Sequence, residues 1–435
     1  MTLKEHLRKN VVLALPVIIG QLGHIMVSVA DSLMVGRLGV VPLAAATFAG
    51  TFYYVLMLFG IGVSYSITPK VASADVKNHG KLLKYLENGF FMNLALGLIL
   101  FSIGYVVSHF LHLFGQEEPV AEASGSYLIV MCGSLVPLMI FQTFRQYAEG
   151  LSDTFSPMIV SVLANLLNVL FNYMLIYGKF GAPALGLNGA GIATLIARII
   201  MFVLMIWWIR KKCIGFKWEF EWNGIKELLK IGVPSGLQYV FEVGAFATAA
   251  IMVGWISAEA LAAHNIALNL AAISYMAATG LAAASTIRIG NQMGLKDRRN
   301  LRIAGFSSFG LVAVFMAACS LLFIVLRDYL PSLYIDDMQV RQMASTLLII
   351  AAAFQISDGV QAVGLGVLRG LQDVRIPTLV TFISYWLVAI PSGYAFAFYF
   401  NWGVNGVWYA LSLGLTLAGI FNMWRFNRLS KKIAF

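Results

Sequence analysis

Three carboxylic acids, Asp31, Glu242 and Asp358, lie inside stretches that are otherwise almost wholly apolar. Holding an acid in such a stretch costs about 2.5 to 3.5 kcal/mol on membrane-insertion scales, so each should face protein or water and carry function. A carboxylate in a partly dehydrated cavity can take up a proton, bind Na⁺ or attract a cationic organic solute, and each of these displaces the others. That is the chemistry of exchange. The competing reading is an acid neutralised by arginine or bonded only for packing, and Arg198 is the one cation that the apolar stretches offer to all three.

Polar neighbours recur at helical spacing around each acid. Gln21, His24, Ser28 and Asp31 form one stripe, Ser235, Gln238 and Glu242 a second, and Gln355, Asp358 and Gln361 a third. Asn165, Asn168 and Asn172 form a fourth, while His264, Asn265 and Asn269 add polar groups in the second half. One stripe could merely hold helices together; five in both halves point to lined cavities. His24 reads either as a proton-relay partner of Asp31 or as a hydrogen-bonded packing histidine. Arg198 reads either as a counter-ion or as a side chain snorkelling along a tilted helix.

The elements that position these groups follow from composition. The 435 residues are 60% hydrophobic and 11% charged, with a mean hydropathy of +0.81. Those values exclude a soluble enzyme, a disordered tail and a fibrous repeat, and they fit an all-α polytopic membrane protein. Twelve apolar runs of helix-spanning length are expected, at about 11–36, 43–69, 88–113, 124–148, 157–177, 187–209, 231–254, 261–287, 303–326, 340–368, 376–400 and 404–426. The runs are continuous, without the ten-residue alternation of barrel strands. Three cysteines without CxxC or Cys/His pairing indicate neither disulfides nor zinc.

Short loops make the positive-inside rule usable. With the N-terminus in the cytoplasm, 25 of the 30 Lys and Arg residues fall on that face, Lys77 among them. Both termini are therefore expected to be cytoplasmic. The formal charge of +10 is then an orientation signal with anionic lipid, not nucleic acid, as its partner. The stretch 210–230, with Trp218, Phe220 and Trp222 among basic and acidic residues, reads as a linker lying at the membrane interface.

The two halves repeat. An offset of 218 brings Pro16 onto Pro234, Met34-Val35-Gly36 onto Met252-Val253-Gly254 and Thr68 onto Thr286. An offset of 220 brings Gly150-Leu151 and Asp153 onto Gly370-Leu371 and Asp373. Two pseudo-symmetric six-helix lobes are expected, 1–209 and 231–435, joined by the linker and sharing one orientation, an architecture of secondary transporters.

Val29-Ala30-Asp31-Ser32-Leu33-Met34-Val35-Gly36, Tyr177-Gly178-Lys179-Phe180-Gly181-Ala182-Pro183, Phe241-Glu242-Val243, Ala262-Ala263-His264-Asn265-Ile266-Ala267-Leu268-Asn269, Asp358-Gly359-Val360-Gln361 and Leu368-Arg369-Gly370 together resemble the multidrug and toxic compound extrusion (MATE) family, in its bacterial NorM-like branch. The resemblance covers essentially the whole chain. It implies a monomeric antiporter that exports amphipathic, mostly cationic compounds by alternating access, coupled to H⁺ or Na⁺ and needing no cofactor. Carried over by position, Asp31 with Asn168, Asn172 and Thr194 would form an N-lobe site linked to bending at Pro16, and Glu242 with Asp358 a C-lobe cation site. Phe354 stands where related sequences place a tyrosine shortly before the Asp358 position, which removes an oxygen ligand. The nearest rival is a flippase for lipid-linked precursors, which would favour a cationic cavity. An intramembrane enzyme has no candidate: HExxH, GxSxG and P-loop motifs are absent from the sequence.

Overall fold

The computed structural model describes residues 2–74 and 79–433; Lys77 lies outside them. Twelve helices long and apolar enough to cross a membrane run through the described residues: α1 Leu3–Gly36, α2 Val40–Ser73, α3 Gly80–His109, α4 Glu118–Gly150, α5 Phe155–Tyr177, α6 Gly186–Cys213, α7 Trp222–Gly254, α8 Ala258–Gly294, α9 Arg298–Leu326, α10 Met338–Gly370, α11 Arg375–Tyr399 and α12 Gly403–Lys432. The described residues contain no strand. In hydrocarbon every backbone donor must find its acceptor within the segment, which leaves the helix as the solution for continuous apolar runs. Three helices start on well-formed caps: Ser257, Asp297 and Asp337 accept the backbone N–H groups of Ala260 at 3.0 Å, Asn300 at 2.9 Å and Val340 at 2.9 Å.

The chain divides into two compact units, and each draws on both halves of the sequence. One contains residues up to Ile18 and from Leu237 onward; the other is Ile19–Gly236. The divisions fall two residues past Pro16 in α1 and two residues past Pro234 in α7. Proline removes a backbone donor and crowds the carbonyl one turn back, so each helix is weakest where it leaves one unit for the other.

Within the Ile19–Gly236 unit, hereafter the N-lobe, the start of α7 is anchored beside α2. A Cβ on Gly62 would stand 2.6 Å from the Cα of Gly236, so the two backbones touch and only glycine fits. Lys70 pairs with Glu227 at 3.1 Å, and Ile225 and Leu228 join the buried core. Within the other unit, the C-lobe, the start of α1 is anchored in the corresponding way. Gly280 of α8 lies against Ile18, Asn10 donates to Ser308 at 2.9 Å, and His6 bridges Asn300 at 3.0 Å and Arg288 at 2.8 Å.

The duplication visible in the sequence recurs as repeated contacts. Thr68 donates to the Gln146 carbonyl at 3.1 Å, and Thr286 to the Gly366 carbonyl at 2.8 Å. Gly150 packs on the Thr68 carbonyl as Gly370 packs on that of Thr286. Asp153 receives Lys212, and Asp373 receives Arg425 at 2.5 and 3.0 Å. These matches, in register, establish two pseudo-symmetric six-helix lobes.

Two local features differ from a simple reading of the sequence. Arg145, one of the cytoplasmic-face basic residues, and Glu149 at the end of the same expected span form a buried ion pair at 2.7 Å one turn apart in α4, so each neutralises the other and the segment stays helical. The linker is also tied down: Lys217 N–H donates to Glu87 at 2.6 Å, Glu221 N–H to Asn88 at 3.0 Å, and Trp218 packs edge-on against Phe90 at 5.1 Å.

Candidate functional site

In the N-lobe, Gly23 sets how closely α1 approaches α5. A Cβ there would lie 2.9 Å from the amide nitrogen of Asn165. Two turns further along, that close approach brings Asp31 to Asn172, whose amide nitrogen donates to the carboxylate and also to Asn168 Oδ1 at 3.2 Å. Asn168 in turn donates to Thr194 Oγ1 at 3.3 Å, and Thr194 to the Ala190 carbonyl at 3.0 Å. The four residues thus form one network in which Asp31 accepts from a neutral amide. Ser28 meets the Tyr54 hydroxyl at 3.0 Å, while Gln21 and His24 sit half-buried without a hydrogen bond among the described residues. Pro16 lies within unbroken helix.

Arg198 makes no hydrogen bond to that network, although its charge reaches Asp31. Its guanidinium donates to Ser134 at 2.7 Å, approaches Met57 Sδ at 3.8 Å and lies over the Tyr53 ring at 5.4 Å. Among the described residues no carboxylate pairs with it, so it is not a salt-bridge partner of Asp31.

In the C-lobe, Glu242 and Asp358 are 7% and 6% exposed and interact with each other. Glu242 accepts the Tyr275 hydroxyl at 2.8 Å, and Gln361 lies beside it. No hydrogen bond or ion pair reaches Asp358 among the described residues. Gln355 donates to Ser274 at 2.7 Å, and Gln238 turns away to the Val374 carbonyl at 3.4 Å. His264 is fully buried and accepts the Trp408 indole N–H at 3.0 Å. That bond leaves Nδ1 unprotonated and puts the ring proton on Nε2. Asn265 and Asn269 lie on the accessible side of α8, about 100° and about 140° around the helix from His264.

Two tyrosines near the C-lobe acids escape the sequence reading. Tyr275 lies about three turns after His264 on the same face of α8, and its bond to Glu242 shows only in three dimensions. Tyr385 sits in a π-helical stretch, Ile383–Ala389, where a 3.6-residue period cannot assign faces. Trp386 of the same stretch donates its indole N–H to the Phe241 carbonyl at 3.0 Å, next to Glu242.

Comparison with known proteins agrees with this arrangement. The MatE family model matches residues 16–174 and again 234–395, once in each half. The chain is 32% identical to the probable multidrug resistance protein NorM of Agrobacterium fabrum, over 98% of this chain and 95% of that one. It is 33% identical to the multidrug resistance protein MdtK of Edwardsiella ictaluri, over 98% and 96%. The fold of a mutant of the Vibrio cholerae MATE transporter VcmN superposes with a TM-score of 0.91 at 17% identity, covering 99% of this chain and 98% of that one. The repeated family match and the near-full-length relatives mean that the chain belongs to the multidrug and toxic compound extrusion family, in its NorM-like branch.

Proposed function

We propose that the protein is a cation-coupled antiporter that exports amphipathic, mostly cationic organic compounds by alternating access. It would work in a bacterial cytoplasmic membrane with both termini inside, exchanging cargo for inward-moving H⁺ or Na⁺. The observation that carries this reading is the state of the membrane-embedded acids. Asp31 has a neutral amide, Glu242 a phenol and Asp358 no polar partner, and no ion pair neutralises any of them among the described residues. Holding uncompensated negative charge at that depth is costly, and a mobile positive charge is what would relieve it. The names of the relatives, which describe multidrug resistance proteins, support the same cargo class.

In this mechanism the N-lobe network keeps the Asp31 carboxylate as an acceptor, since both hydrogens of the Asn172 amide are committed, one to Asp31 and one to Asn168. A cationic cargo would engage Asp31 until a proton or Na⁺ replaces it, so the ion gradient drives export. A flippase for lipid-linked anions would need basic groups, and Arg198 alone, already engaged by Ser134 and Tyr53, gives that reading little support.

The test is dye transport in proteoliposomes under an imposed pH or Na⁺ gradient, with Asp31→Asn, Glu242→Gln and Asp358→Asn measured separately. Loss of gradient-driven transport in at least one variant is expected. Full transport by all three would remove the coupling role of the acids.

A further inference from the structure

The C-lobe acids are surrounded by more unused oxygen than the family resemblance assigns. Tyr385 is fully buried, and its hydroxyl has no hydrogen-bond partner among the described residues. It nonetheless lies within electrostatic reach of both Glu242 and Asp358. Gln361 is also fully buried beside Glu242, close enough to interact with it, yet neither amide atom has a well-formed hydrogen bond among the described residues. Buried polar groups are almost always bonded, so two side chains with poorly satisfied polar atoms near one pair of carboxylates call for a ligand rather than a packing explanation.

The backbone fixes this placement. In the π-helical stretch the widened turn lets successive side chains meet α7 together: the Tyr385 ring packs on Phe246 with centroids 6.1 Å apart, and the Trp386 indole covers Gly244. With the Trp386 bond to the Phe241 carbonyl, α7 is gripped on both sides of Glu242. Phe354, one turn before Asp358 on α10, offers no oxygen, and its ring centroid lies 5.7 Å from that of Trp408.

We propose that the Tyr385 hydroxyl oxygen is a ligand of a Na⁺ ion shared with Glu242, Asp358 and Gln361, supplying a phenol oxygen that α10 itself lacks and setting preference for Na⁺ over K⁺. The donors are hard oxygens, as Na⁺ requires. Only two acids take part, and no group of three or more His, Cys, Asp or Glu residues that could hold a metal occurs among the described residues. That charge count fits a monovalent ion better than Ca²⁺, which gathers six to eight oxygens. The proposal rests on the cation-coupled reading above and names the residue that completes one of its sites.

The experiment is thermal unfolding of the purified full-length protein in NaCl, KCl or choline chloride at constant ionic strength, for the parent and Tyr385→Phe. The parent should gain melting temperature in NaCl and little in KCl. Tyr385→Phe keeps the ring, so without Na⁺ it should be as stable as the parent or slightly more so, because an unpartnered hydroxyl has gone. Its half-saturating Na⁺ concentration should rise about tenfold or more, the loss expected for one oxygen facing a charge. Should Tyr385→Phe not fold, Tyr385→Met gives the same reading. An unchanged Na⁺ response in the variant overturns the proposal, as does a parent that responds to K⁺ as to Na⁺. A parent that shows no Na⁺ response yet exports dye along a pH gradient overturns this site and leaves the export reading standing.

Discussion

Replacing Asp31 by Asn separates charge from hydrogen bonding at the N-lobe site. The substituted amide can turn its oxygen to Asn172, so the chain through Asn168 to Thr194 survives and folding stability should change by less than about 1 kcal/mol. What disappears is attraction for a cationic cargo. At a separation of about 4 Å and an effective dielectric constant of about 20, that attraction is about 4 kcal/mol, equivalent to about a thousandfold in affinity. Asn172→Leu makes the opposite change: it leaves the charge but strips its hydrogen bond, and should lower stability by about 1.5 to 3 kcal/mol. Cationic dye binding followed by fluorescence anisotropy, alongside thermal unfolding of the same samples, reads both quantities. If Asp31→Asn bound a cationic dye within about threefold of the parent, the Coulomb argument would be wrong.

Three further outcomes follow from particular contacts. Gly62→Ala would put a Cβ 2.6 Å from Gly236 Cα and 2.9 Å from the Ser235 carbonyl, neither of which can yield; it should cost about 1 to 3 kcal/mol, whereas Gly20→Ala, with nothing within 4 Å, should be neutral or stabilising in the same melting assay. Burial pushes the Asp153 carboxyl up, but the bonds from Lys212 and Ser156 outweigh it and hold the group below its ordinary value of 3.8. Its stabilising contribution is therefore present above that value and lost as pH falls through the lower folded-state value, so the melting difference between parent and Asp153→Asn should shrink on acidification below about pH 4; a difference constant with pH would refute the pairing. Arg198→Gln loses contacts to Ser134 and Tyr53 but no acid, so it should melt somewhat lower while keeping its response to an ion gradient. A variant that lost that response as Asp31→Asn does would mean that Arg198 takes part in coupling.

Much of the fold was legible because hydrocarbon leaves a long apolar run one way to satisfy its backbone, and because the prolines, glycines and threonines of the repeat are tied to contacts that recur in both lobes. In the N-lobe network, helical spacing shows Asn168 and Asn172 on one face, whereas their grouping with Asp31 and Thr194 followed from the family resemblance and not from spacing, which cannot tell which helices meet. The division of α1 and α7 between units was not legible. Apolar periodicity shows that a helix crosses the membrane, but not which neighbours its two ends choose. In the C-lobe, single-helix spacing groups His264 with Asn265, though one is buried and the other accessible. Tyr275 comes from α8, whose His264, Asn265 and Asn269 drew attention to other positions, and Tyr385 stands where the helical period itself changes.

The central claim is that cargo and coupling ion move in opposite directions by competing for the same acids. The most direct measurement is the direction of net dye movement in proteoliposomes when the imposed H⁺ or Na⁺ gradient is reversed with dye initially equal on both sides. The account predicts that dye accumulates on the side from which the ion departs with at least one of the two gradients, and that reversing that gradient reverses the accumulation. Dye that stays at equal concentration under both gradients in both directions would contradict it.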